Sequence, residues 1–296
     1  MAHLFDCQTR WGDMDAYLHL NNGVYVDYLQ EARVDFLHSG DFAYMLGDEP
    51  QAGVEGPNTQ AILVTGHRVE YLKPAEHGHP LQVRLVVDQI GAARFTLAYD
   101  IVSDDRVVAR ARTVLCPFDL ETDSIRRLTD EERAWFAEHA EPVEPLPSVA
   151  KVRLGDQPAH EYAFRVRWSD LDSYRHANNV KYYDYVQEAR IDLMRDLLEH
   201  RPAQSERPGQ WIVVRQDMDY AVQMDFRPEP YVVRTAVQEI GQSSLTLAAE
   251  IMDPTTGVVH ASSRTVLVHT AVTGPEAIPA WIREALTPLR LPVPVA

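Results

Sequence analysis

A segment of 24 residues occurs twice in this 296-residue chain, and that duplication limits the available folds more than any other feature. The first copy runs Arg10-Trp11-Gly12-Asp13-Met14-Asp15, then His19, Asn21, Asn22, Tyr25, Asp27 and Tyr28, to Gln30-Glu31-Ala32-Arg33. The second begins 157 residues later as Arg167-Trp168-Ser169-Asp170-Leu171-Asp172 and continues through His176, Asn178, Asn179, Tyr182, Asp184 and Tyr185 to Gln187-Glu188-Ala189-Arg190. Without a gap, 15 positions are identical. A duplicated core alone would keep apolar character and let the rest vary, yet here carboxylates, His, Asn, Arg and Trp are kept too. The chain reads as two copies of one unit, and the polar part of the repeat reads as a site.

The pattern around each copy is the same. Residues 3–11 alternate loosely and predict a strand, followed by a polar loop over Gly12–Asn22. A helix is expected from an Asn22 N-cap to about His38, stopped by Gly40. Its apolar positions Tyr25, Tyr28, Leu29, Ala32 and Phe36 form one amphipathic stripe. Residues 41–60, rich in Gly, Pro, Asp and Glu, read as a surface loop. Four strand-like runs follow, at Ala61–Lys73, Leu81–Ile90, Arg94–Val102 and Val107–Phe118, then a short helix with a Thr129/Glu132 capping box. A Pro-rich stretch over 141–158 predicts a stiff, extended linker between domains at 1–140 and 159–296. Beyond it come a strand at Glu161–Trp168, a helix at about Asn179–Leu198, strands at Trp211–Tyr220, Tyr231–Ile240, Ser244–Met252 and Val258–His269, and a last helix after Pro275. Ile90-Gly91 matches Ile240-Gly241, and Arg112-Thr113-Val114-Leu115 matches Arg264-Thr265-Val266-Leu267, which holds the register. Each half is thus α+β: a strand, a long helix and four strands in meander order, with one antiparallel sheet wrapped over the helix to bury its stripe.

Composition removes several classes of function. No run of about 18 apolar residues exists, so no membrane span is expected. The N-terminus lacks a basic start and an apolar core, so no signal peptide is read and a cytoplasmic protein is expected, with Cys7 and Cys116 reduced. A net charge of −16 argues against nucleic acid as a partner. The charge is uneven: residues 1–148 hold 12 basic and 25 acidic side chains, residues 149–296 hold 16 and 19, so the second half repels an anionic ligand less.

The strand, the Asp-bearing loop, the helix opening on Asn-Asn-x-x-Tyr and the four further strands resemble the hotdog fold. The motif of Asp15, His19, Asn21-Asn22 and Glu31 is similar to that of its thioesterase branch, the 4-hydroxybenzoyl-CoA and acyl-ACP thioesterase relatives. His176-Ala177-Asn178-Asn179-Val180-Lys181-Tyr182 is especially similar to the acyl-ACP version. The resemblance covers roughly 1–120 and 160–270. It implies tandem hotdog domains, each a five-stranded antiparallel sheet around a central helix, paired as an intrachain pseudo-dimer with acyl-thioester pockets between them. Further dimerisation of the two-domain chain is left open.

Thioester hydrolysis needs a base or nucleophile at the carbonyl carbon and donors for the oxyanion. Asp15 and Asp172 lie on a loop just before a helix, whose positive end and free N–H groups suit an oxyanion. By resemblance they match the family's catalytic carboxylate, as general base or as nucleophile. Their competing use is an Asx turn or helix cap, though Asn21 and Asn22 already offer capping there. His19 and His176, four residues on, would orient the base, bind the carbonyl or hold a water, or else are structural. Asn22 and Asn179 are expected to cap the helix, and Asn21 and Asn178 to donate to the carbonyl. Tyr25 and Tyr182 are core or pocket lining, Trp11 and Trp168 are packing at the strand end, and Asp13 and Asp170 are loop hydrogen bonders. Glu31 and Glu188 are expected in a salt bridge or a partner-unit contact.

The chain departs from the pattern where relatives place Gly before the His: Leu18 and Arg175 stand there, so a different backbone is expected. Tyr17 and Tyr174 stand where acyl-ACP thioesterases carry Asn, so that mechanism does not transfer whole. Arg175 would contact a phosphate or be solvated. His77-Gly78-His79 has no further residues to complete a metal site, and no metal or cofactor is expected. There is no Gly-x-Ser-x-Gly, which disfavours an α/β-hydrolase, and the Asp-to-His spacing of four differs from the five of the hotdog hydratases. Arg126-Arg127 and Lys151 with Arg153 are basic pairs that would meet a CoA phosphate or be solvated. The function expected is an acyl-CoA thioesterase working through carboxylate-activated water between two hotdog units. The alternatives are an acyl-thioester binding protein and an acyl-ACP thioesterase.

Overall fold

A computed structural model describes residues 1–40, 42–46, 58–147, 149–203, 209–271 and 274–292. The chain divides into two compact units, Met1–Pro147 and Ser148–Ala296. In unit 1 the order is β1 (His3–Cys7), a 3-10 turn (Trp11–Asp13), α1 (Asn22–His38), a 3-10 turn (Ala43–Leu46), β2 (Gln60–Tyr71), β3 (Leu81–Ile90), β4 (Phe95–Ser103), β5 (Arg106–Asp119), β6 (Ser124–Ile125) and α2 (Asp130–Glu138). Unit 2 repeats it as β7 (His160–Phe164), a 3-10 turn (Trp168–Asp170), α3 (Lys181–Glu199), β8 (Gln210–Tyr220), β9 (Tyr231–Ile240), β10 (Ser244–Met252), β11 (Val259–Ala271), β12 (Gly274–Pro275) and α4 (Ala280–Leu286).

The strands pair antiparallel throughout, but the four after the helix do not form a simple meander. In unit 1 the order is β1-β3-β4-β5-β2, with short β6 on β5. In unit 2 it is β7-β9-β10-β11-β8, with β12 on β11. The first strand takes the edge of β3 or β9 that a meander would give to the preceding strand. β2 and β8 therefore cross over and pair with the free edge of β5 and β11. Local alternation marks a strand but does not choose its neighbour.

α1 lies with Tyr25, Val26, Leu29, Ala32, Phe36 and Leu37 buried. Its sheet contributes the row Leu85, Tyr99, Ala111 and Val69, and beside it Val87, Leu97, Thr113 and His67. Each large aliphatic or aromatic side chain removed from water here contributes about 1.5–3 kcal/mol. One charged residue shares this face: Arg33 is only 4% exposed, and its Nη1 has no hydrogen-bond partner among the described residues. α3 repeats the stripe with Tyr182, Tyr183, Tyr185, Val186, Ala189 and Leu193.

One connection differs from expectation. Within 41–60, Ala43, Tyr44 and Met45 form a buried turn, held by the Tyr44 hydroxyl donating to Glu132 at 2.8 Å; residues 47–57 lie outside the described residues. Most of the Pro-rich segment is strapped to the units it joins. Arg84 pairs with Glu141, Arg110 Nη1 with Glu144 at 3.0 Å, and Arg112 Nη2 donates to the Glu144 carbonyl at 2.6 Å. On the far side Arg234 donates to the carbonyls of Gly155 and Gln157 at 2.6 and 2.8 Å. Among the described residues no helix is long and apolar enough to cross a membrane.

Candidate active site

Both repeated loops close as tight hairpins. The Asp15 N–H donates to the His19 carbonyl at 2.7 Å and the Leu18 N–H to the Asp15 carbonyl at 3.0 Å; the matching distances at Asp172, His176 and Arg175 are 2.9 and 3.0 Å. The fourth residue of each turn is left-handed, with φ of 63° at Leu18 and 66° at Arg175. The glycine is missing, yet the backbone adopts the conformation that favours glycine, at a cost of about 1 kcal/mol per residue. The closing hydrogen bonds hold Leu18 and Arg175 in it, so their N–H groups are occupied within the turn.

The carboxylates are held by the same turns. Oδ1 of Asp15 accepts the N–H of Tyr17 at 2.8 Å and of His19 at 3.1 Å. Oδ1 of Asp172 accepts the N–H of Tyr174 at 3.0 Å and of His176 at 3.1 Å. Neither Oδ2 has a protein partner among the described residues. The Asx turn and a reactive role are therefore compatible: one oxygen fixes the group and the other stays open. Burial pushes the Asp172 carboxyl above the ordinary aspartate range, against the pull of the His176 and Tyr174 N–H groups and the His176 ring.

Each hairpin is docked on the loop after the unit's first long strand, β2 or β8. Leu20 N–H donates to the Ala75 carbonyl at 2.8 Å, and Ala177 N–H to that of Met224 at 2.9 Å. His19 thereby lies beside Glu76, and His176 beside Asp225. The His176 ring has Nε2 3.7 Å from an Asp225 carboxylate oxygen, while its Nδ1 is buried without a partner among the described residues. Asp225 is 49 residues beyond His176, and no sequence signal joins the two.

The hydrogen bond at the helix entry is accepted by the first asparagine of each pair, where the second was expected to cap. Asn21 is the N-cap, its side-chain oxygen accepting the Gly23 N–H at 2.9 Å, and Asn178 likewise accepts the Val180 N–H at 3.2 Å. Their side-chain NH₂ groups remain available as donors. Asn22 and Asn179 instead receive tyrosine hydroxyls on their backbone carbonyls, from Tyr71 at 2.9 Å and Tyr220 at 2.8 Å. Tyr25 and Tyr182 are buried and packed edge-on to those same rings, at 5.2 and 5.1 Å. The Tyr182 hydroxyl accepts the Met224 N–H at 3.2 Å, so this tyrosine supports the docking loop. Burial pushes the Tyr25 hydroxyl up to about 12, with Asp15 close enough to add to the effect.

Asp13 and Asp170 are structural. Each accepts a backbone N–H (Arg10 or Arg167) and a tyrosine hydroxyl (Tyr28 or Tyr185) at 2.7–2.8 Å. The tyrosines at 28 and 185 thus tie helix to loop. Glu31 and Glu188 are exposed and make no ion pair among the described residues, which leaves only the partner-unit contact of the two uses expected. Of the basic pairs, Arg126 is held by buried Glu132 and Lys151 by Asp219, so neither is free for a phosphate. Trp11 and Trp168 do not pack at the strand end: they are 68% and 72% exposed. His77 stands edge-on to Trp11 and His79 pairs with Asp104, and no group of three metal-ligating side chains occurs among the described residues.

A sequence profile of the thioesterase-like superfamily matches residues 9–151 and again 166–286, spanning both hairpins. The chain belongs to that superfamily. Solved structures of the family share its fold: an acyl-ACP thioesterase from Bacteroides thetaiotaomicron (TM-score 0.68, 13% identity, covering 90% of this chain and 97% of that one) and a 12:0-ACP thioesterase from Umbellularia californica (0.70, 15%, 91% and 94%). An Aquifex aeolicus protein described as a candidate esterase is 25% identical over 116 residues, 39% of this chain and 84% of that protein. Both halves are hotdog repeats of this superfamily, and its matched segments contain Asp15, His19, Asp172 and His176.

Proposed function

We propose that this member of the superfamily hydrolyses acyl-CoA thioesters, with Asp172 and Asp15 as general bases. The observation that carries the reading is the pair of carboxylates, each fixed through Oδ1 by two N–H groups and open at Oδ2. Oδ2 takes a proton from water while the water oxygen bonds to the thioester carbonyl carbon. Collapse of the tetrahedral intermediate breaks the C–S bond, and the proton passes to the leaving thiolate, giving a carboxylic acid and a free thiol. Water activation is favoured over direct attack because the turn holds the carboxylate rigidly. Asn21 and Asn178 offer side-chain NH₂ donors to the carbonyl, and the backbone N–H groups of His19 and His176 stabilise the ionised Asp. Raising the basicity of Asp172 by burial brings it nearer the optimum for proton transfer at neutral pH.

The test is thiol release from short, long and aromatic acyl-CoAs and from acyl-ACP, beside calorimetric binding of the same ligands. Turnover of CoA esters supports the reading. Binding of acyl-CoA with no thiol released from any substrate makes the protein a carrier or sensor. Turnover confined to acyl-ACP moves the carrier from CoA to the protein-bound arm.

A further inference from the structure

Beside Asp172, unit 2 presents aromatic and basic side chains that the hydrolytic step does not use. Trp168 is 72% exposed, and its indole stands edge-on to Phe226, itself 50% exposed, with ring centroids 5.5 Å apart. Phe226 follows Asp225, the residue that faces His176, and Arg175 precedes His176 at the left-handed corner of the hairpin. Arg165 and Arg167 lead directly into Trp168, and all three arginines are exposed. Elsewhere in the unit Arg195, Arg215, Arg227, Arg234 and Arg264 are paired with carboxylates. Arg165, Arg167 and Arg175 have no such pair among the described residues. In a chain of net charge −16, Arg165, Arg167 and Arg175 give the segment that carries the exposed Trp168 three guanidinium groups that no carboxylate among the described residues pairs with, although the exposed Asp225 lies beside it.

Unit 1 lacks this combination. Gln8 stands at the position of Arg165, Leu18 at that of Arg175, and Trp11 meets His77 in place of a phenylalanine. The difference is therefore not a requirement of the repeated fold. Guanidinium groups recognise phosphate through paired N–H donors, and an exposed indole offers its face to a base.

We propose that this lip of unit 2 binds the nucleotide of coenzyme A, with the adenine stacked on Trp168 and the phosphates taken by Arg165, Arg167 and Arg175. The proposal rests on the thioester reading above and names the carrier. Phe226 packs near a right angle to the indole, which stays largely exposed. A substrate seated there places its thiol arm next to the Asp172 hairpin, because Arg175 belongs to that hairpin.

The test is calorimetric binding of CoA and of pantetheine to wild type, Trp168→Ala, Arg165→Gln/Arg175→Gln and Trp11→Ala, alongside thiol release from acyl-CoA and acyl-ACP. All these side chains are exposed, so the variants are expected to fold. CoA affinity should fall about tenfold in Trp168→Ala, the size of one base stack. It should lose most of its salt dependence in the double arginine variant, and stay at the wild-type value in Trp11→Ala. Pantetheine should bind more weakly than CoA and be insensitive to all three changes. Unchanged CoA affinity in Trp168→Ala and in the arginine variant overturns the proposal, and persisting acyl-CoA hydrolysis would then leave the thioesterase reading intact. Weakened CoA binding without any thiol release supports the lip and removes the enzyme. Variants that impair only acyl-ACP turnover also overturn it, making the lip a surface for the carrier protein.

Discussion

Leu18 holds a backbone conformation that its side chain disfavours, and this predicts a measurable consequence. Leu18→Gly should relieve the left-handed strain while loosening the unfolded chain, for a net gain of ~0.5–1 kcal/mol in chemical denaturation. A loss of stability would mean that the exposed leucine makes contacts outweighing the strain. Arg33 is the opposite case, a buried guanidinium with no carboxylate pair among the described residues. Replacing such a group by an apolar side chain of similar length is commonly neutral or stabilising. Arg33→Met should therefore leave the denaturation midpoint unchanged or raised, and a large drop would reveal a partner for the charge. At this scale the sequence was legible where the repeat copied a residue with its neighbours. Asp15 and Asp172 stand in the same turn because Tyr17, His19 and their counterparts bring the same N–H groups. It was misleading at Asn21 and Asn22, where the cap sits one residue earlier than expected and Asn22 offers its backbone carbonyl to Tyr71.

α2 shows how an element carries a pH dependence. Its capping box closes as expected, with Thr129 accepting the Glu132 N–H at 3.1 Å and Glu132 accepting the Thr129 N–H at 2.8 Å. Burial alone would raise the Glu132 carboxyl, but the Arg126 ion pair, the Thr129 N–H and the Tyr44 hydroxyl together hold it below the usual glutamate range. A depressed folded value means stability that is present above the unfolded value and lost as pH falls through the folded one. Unit 1 should thus weaken on acidification below the ordinary glutamate range, and Glu132→Gln should remove that slope and cost about 3 kcal/mol at neutral pH. Denaturant melts at a series of pH values check both statements, and an unchanged slope in the variant would contradict them. α4 starts at Pro279 without a side-chain cap, so unit 2 has no equivalent device. Strands and helices were legible because periodicity is a local property. The placement of β2 beside β5, and of β8 beside β11, was not, because it depends on which edge the first strand leaves free.

For the whole molecule, duplication brings two candidate sites into one chain, and the units have diverged around them. Unit 1 keeps an acidic surface and the Arg126–Glu132–Tyr44 network, while unit 2 has the Asp172 carboxyl raised by burial and the basic, aromatic lip. Asp172→Asn is accordingly expected to cost more activity than Asp15→Asn. Because burial raises the Asp172 carboxyl, the acid limb of kcat/KM in an Asp15→Asn background should lie above the ordinary aspartate range and vanish in the double variant. The decisive measurement is kcat/KM for acyl-CoA hydrolysis by wild type and by folded Asp15→Asn/Asp172→Asn, with melting curves for both. Loss of about a hundredfold or more in the double variant, at unchanged stability, is the result predicted for carboxylate-activated water. A folded double variant that turns over at the wild-type rate would place the chemistry elsewhere in the chain.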